Sequence, residues 1–156
     1  MSLHQPILAE EDYNSLISRS MATTNVYLKN AVAWEELGDR QKARNTINFV
    51  NKRFLLRDPR ILLRLAYISE LDGELDVAKI KYKEALEMRC STEEWTDLAK
   101  SIAALQLNDE KAAMEHFNKV KSSEFFDRDN LNDILRIYPA ALRNRFLKFV
   151  EAHKLL

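Results

Sequence analysis

Apolar residues recur along most of the chain at the three- and four-residue spacing of amphipathic helices. The clearest stretch, RILLRLAYISELDGELDVAKIKYKEALEMRC from Arg60 to Cys90, predicts two helices joined by a tight turn at Asp72-Gly73-Glu74. The unit repeats. Gly38, Gly73 and Asn108 stand 35 residues apart, each closing a first helix. Ala43, Ala78 and Ala113 follow five residues after each, then Ile47, Tyr82 and Phe117, then Val50, Ala85 and Val120. Each column has a physical use. The turn needs positive φ, which glycine adopts without steric cost and asparagine tolerates. The alanine lets the second helix approach the first. The bulky residue a turn later lies on the same face and fills the gap to a neighbouring hairpin. One hairpin cannot bury its stripe alone, so several must stack.

Capping signals divide the chain further. Residues 8–22 predict an N-terminal helix, because Ala9, Tyr13 and Leu16 precede Ala43, Ile47 and Val50 by 34 residues. Thr23-Thr24-Asn25 supplies N-cap side chains for a helix over about 25–37, followed by one over 40–54. Asp58-Pro59 is a cap followed by proline at the first helical position, opening helices over 59–72 and 75–89. Ser91 and Glu94 have capping-box spacing. In the third unit the stripe Trp95, Leu98, Ala99 and Ile102 sits early for the strict period. The expected remedy is a longer turn at Leu107-Asn108-Asp109, since otherwise Asp97 and Lys100 would enter the core. A short helix over 127–137 and a last one from Pro139 to Lys154, apolar at Leu142, Phe146, Phe149 and Val150, would close the stack.

These columns resemble the tetratricopeptide repeat family over residues 24–122. The resemblance is carried by Tyr27, Ala31, Trp34, Gly38, Asp39, Ala43, Ile47 and Val50, by Leu62, Leu65, Ala66, Gly73, Ala78, Tyr82 and Ala85, and by Ala113, Phe117 and Val120. It implies an all-α fold, a right-handed superhelix of stacked antiparallel helix pairs with N- and C-terminal capping helices. The expected layout is one domain over 1–156: a cap at 8–22, repeats at 24–57, 58–90 and 91–122, and capping helices at 127–156. The family's proline at the end of each unit is replaced by Leu55 and Cys90. A 35-residue period is also that of pentatricopeptide repeats, which read RNA.

Composition narrows the function. Two glycines and three prolines in 156 residues suit a helical chain, and 24 basic residues balance 24 acidic ones. That balance weighs against nucleic acid as a partner, because phosphate neutralisation dominates such binding. A single cysteine allows no internal disulfide, and there is no cationic leader or long apolar run, so a cytoplasmic protein without a membrane span is expected. His4, His116 and His153 have no metal-ligand spacing, Cys90 is isolated, and no phosphate-binding glycine loop or nucleophile elbow occurs. No catalytic residue, metal or cofactor is therefore assigned, and the chain is not expected to be an enzyme.

The resemblance implies a concave groove lined by the first helix of each hairpin and gripping an extended or helical polypeptide. The lining expected here is Leu28, Val32 and Glu35, then Arg60, Leu63, Arg64, Tyr67 and Glu70, with Lys100 from the third unit. Leu28, Val32, Leu63 and Tyr67 would supply apolar contact, and Arg60 and Arg64 orientation. The function expected is an adaptor or chaperone-like protein-binding module. An RNA-binding array of the pentatricopeptide kind is the alternative. The chain's own termini or a homodimer could also fill the groove. The clamp by which one subgroup of the family holds a terminal carboxylate is not carried over, because Leu28 and Val32 stand where it needs polar residues.

Overall fold

The computed structural model describes residues 20–54, 58–89, 94–123 and 126–156. Among them are eight α-helices, one 3-10 turn and no strand. The helices are α1 (Ser20–Glu36), α2 (Arg40–Phe54), α3 (Pro59–Leu71), α4 (Leu75–Glu87), α5 (Glu94–Gln106), α6 (Glu110–Ser122), α7 (Arg128–Ile134) and α8 (Ala140–Ala152), with the 3-10 turn at Leu135–Ile137 between α7 and α8. The chain divides into two compact units, Met1–Leu56 and Arg57–Leu156. The helix expected over 8–22 lies largely outside the described residues, as do Leu55, Cys90 and the Ser91 end of the capping box.

In the first unit α1 and α2 form a hairpin. Gly38 takes φ +83°, and the amides of Gly38 and Asp39 return to the carbonyls of Glu35 and Trp34 at 2.9 Å each. These two bonds satisfy carbonyls that the end of a helix leaves open. The Asp39 carboxylate then accepts from the Lys42 amide at 3.1 Å and caps α2. Across the hairpin Ala43, Ile47 and Val50 are buried beside Leu28, Ala31 and Val32. Thr24 does not start a helix: α1 runs unbroken from Ser20, with Thr24 buried inside it. A side chain that favours a cap is overridden when its face is needed in the core.

In the second unit Asp58 caps α3 as expected, accepting from the Arg60 amide at 2.9 Å, with Pro59 at the first helical position. Gly73 turns α3 into α4 at φ +81°, and Asn108 turns α5 into α6 at φ +59°. The bonds at both turns match those at Gly38 one period on: Gly73 to Glu70 and Glu74 to Ser69, then Asn108 to Leu105 and Asp109 to Ala104. The turn expected to be longer in the third hairpin therefore has the same length as the others, and the register does not slip. Leu28, Leu63 and Leu98 are equivalent buried residues, as are Ala31, Ala66 and Ser101.

Helix α5 is the centre of this unit, packing against α3, α4, α6 and α8. Every residue from Thr96 to Leu105 is buried except Lys100, which is half-buried. Three of its small residues, Ala99, Ala103 and Ala104, allow that close approach. Helix α8 meets the third hairpin through an edge-to-face contact of Phe146 with Phe117, centroids 5.3 Å apart. The Arg145 guanidinium donates to Gln106 Oε1 at 2.9 Å and to Asn108 Oδ1 at 2.8 Å.

Ala43, Ala78 and Ala113 are all buried at equivalent places in their hairpins. Ala78→Asp would put an unpaired carboxylate between α3 and α4, so a loss of several kcal/mol is expected. Urea unfolding followed by circular dichroism measures it, and an unchanged midpoint would remove the helix-contact role.

Candidate functional site

The expected groove residues are not an open wall. Leu28, Val32, Arg60, Leu63, Arg64 and Tyr67 are all buried, and Glu35, Glu70 and Lys100 are half-buried. These residues serve the fold. A stripe left over after the core has been assigned is free only if nothing else packs on it. In the second unit Tyr138, completely buried just before α8, lies within electrostatic reach of Arg60, Asp58 and Arg64.

The polar members of the set have internal duties. The Arg60 Nε donates to both Asp58 carboxylate oxygens at 3.0 and 3.1 Å, forming a buried ion pair at the start of α3. Such a pair contributes little net stability, but loss of either partner strands a buried charge. Gln106 Nε2 donates to Glu70 at 3.2 Å and so ties α3 to α5. The Lys100 ammonium donates to the Met88 carbonyl past the end of α4. Arg60 and Arg64 are both completely buried, so neither guanidinium is placed to meet a partner's charge at the surface.

Asp97, expected to stay out of the core, is buried and takes its partner from α6: His116 Nδ1 lies 3.2 Å from its carboxylate. Ser101 Oγ, one turn further, donates to the Ala113 carbonyl at 2.8 Å. His116 is thus half-buried and bonded. The pair bridges α5 and α6. Among the described residues, no three His, Cys, Asp or Glu side chains are grouped to hold a metal.

Burial pushes the pKa of two phenols above its ordinary range, so both hold their protons more tightly than a phenol in water. Tyr138 is shifted by desolvation first, with Arg60 opposing. Tyr82, also shifted mainly by desolvation, lies beside Gln106 and Glu70.

A surface absent from the expected site is open instead. In the second hairpin Leu71 is 42% exposed, Leu75 63%, Val77 41% and Ile80 59%. The repeat provides its own control. One period earlier the same positions carry Glu36, Arg40, Lys42 and Asn45, and one period later Gln106, Glu110, Ala112 and Glu115. Only the middle hairpin is strongly apolar there. Alignment of the three units on their left-handed turns would have revealed this, since the period was already visible.

No family model, curated protein or solved structure matches this chain. Among the described residues, no helix is long and apolar enough to cross a membrane.

Two outcomes follow from the burial. Leu63→Glu with Tyr67→Ala should unfold the chain rather than spare it, lowering the melting temperature by roughly 10 °C or more. A variant melting like the parent would mean that these residues are not core. The second concerns pH. Below about pH 10 the phenols keep their protons folded or unfolded, so they add no pH dependence. Above it the unfolded chain releases protons that folded Tyr82 and Tyr138 retain, so stability falls as pH rises. Urea midpoints at pH 8, 10 and 11 should show that fall, and Tyr138→Phe should remove part of it.

Proposed function

We propose that this chain is a helical-repeat protein of the tetratricopeptide kind whose role is to bind another polypeptide. The binding face is the outer side of the middle hairpin, not the inner groove. The observation that carries this reading is the apolar pair Val77 and Ile80 on one face of α4, with Leu71 and Leu75 exposed beside the turn, where the flanking hairpins place mainly polar side chains. Single exposed apolar residues are ordinary, but several on one hairpin are typical of interaction surfaces. Val77 and Ile80 stand three apart and so share a helix face, the arrangement that receives a partner helix or strand. The chain acts in this reading as a non-enzymatic adaptor.

A photoactivatable amino acid at position 80 tests it, compared with the equivalent positions 45 and 115 in the same chain. Irradiation in the native cells should give polypeptide adducts at 80 and several-fold fewer at the other two. Equal labelling at all three, or none at 80, would defeat the proposal.

A further inference from the structure

We infer that the outer face of α4 pairs with the same face of a second copy of this chain, antiparallel and about a two-fold axis. The inference rests on the binding face proposed above and names its occupant. Val77, Ile80 and Glu84, spaced three and four residues apart, form one line along the outside of α4, away from the buried line of Ala78, Tyr82 and Ala85. The charges beside this line have an order. On one flank Asp76 precedes Lys83 by seven residues, and on the other Glu74 precedes Lys81 by seven. Each flank is thus acidic at the N-terminal end and basic two turns later.

That order is self-complementary in one direction only. An antiparallel pair that sets Val77 against Ile80 of the second copy also sets Asp76 against its Lys83 and Glu74 against its Lys81. The two-fold axis makes every contact occur twice. Glu84 then falls near the N-terminal end of the opposing α4, where the helix dipole favours a carboxylate. A parallel pair about a two-fold axis would instead set Asp76 beside Glu74 and Lys83 beside Lys81 of the second copy, which is repulsive.

The groups are placed to serve. Asp76 and Lys83 are exposed, and the Glu74 side chain makes no capping hydrogen bond to α4. Lys81 is half-buried and reaches Ser69 Oγ at 3.4 Å, so the Asp76–Lys83 flank carries more of the selection. One short helix on each side covers less than the ~1,200 Å² of a standard interface, so the dimer is weak and concentration-dependent.

Sedimentation velocity on the full chain, from about 5 to 500 μM, tests the pairing in a range suited to such weak association. The wild type should move from monomer towards dimer as concentration rises. Ile80→Glu should weaken association at least ten-fold, and so should Lys83→Asp, each with an unchanged circular dichroism spectrum. The exchange Asp76→Lys with Lys83→Asp should recover most of the wild-type association, because it reverses both ends of the same ion pair. A wild type that stays monomeric at every concentration overturns the inference, as does a dimer indifferent to these variants or an exchange that fails to recover. Cross-linking at position 80 separates this failure from that of the proposed function. A monomeric chain that still labels other polypeptides in cells loses only the self-pairing, whereas absence of any adduct defeats both.

Discussion

Each hairpin depends on one backbone event. A residue at positive φ lets two successive amides fold back onto carbonyls of the helix just completed, and the chain reverses within a few residues. Because Gly38, Gly73 and Asn108 make the same bonds, each second helix starts in the same phase relative to the first. A buried alanine five residues later then faces its partner helix in all three hairpins. The bulky residue four further on, Ile47, Tyr82 or Phe117, is buried by the same phase. Change the turn by one residue and the whole second helix rotates by about 100°, exposing that set.

This explains why the hairpins were legible from the amino-acid sequence. Turn residues, small contacts and fillers are each limited to a few residue types by local sterics, so a fixed period makes them visible. Asp58-Pro59 was readable for the same reason, since cap geometry is local. Local chemistry misleads where the deciding partner is distant along the chain. Thr24 has the chemistry of a cap but lies in a face required by the core. Asp97 looked too polar to bury because its partner, His116, lies 19 residues away. With that carboxylate paired inside, the third turn has no need to lengthen and makes the same bonds as the other two.

The polar groups buried with α5 show how this exception is accommodated. A helix surrounded by others cannot have a solvated stripe, so each polar residue on it needs an internal partner. Asp97 has the His116 ring, Ser101 the Ala113 carbonyl, and Lys100 the Met88 carbonyl at the end of α4. All three bonds join α5 to another segment, so they also set its position along its axis. Apolar side chains alone would tolerate a slide by a turn, whereas these bonds would be lost.

The inner and outer faces invite different kinds of error. A first-helix stripe such as Leu63, Arg64 and Tyr67 appears free when only the hairpin core is counted, because sequence spacing says nothing of a later segment returning to it. Tyr138, seventy-one residues beyond Tyr67, shows that the second unit brings a later segment close to that stripe. The outer face of α4 is judged differently, by comparison of three copies of one structural position. Where two copies carry mostly polar or small residues, and the third carries leucine, valine or isoleucine in water, the hairpin itself does not require the apolar side chain. In the reading proposed above, that difference reflects a contact that the flanking hairpins do not make. The opposed charges beside Val77 and Ile80 add an orientation to that contact, which hydrophobicity alone cannot supply.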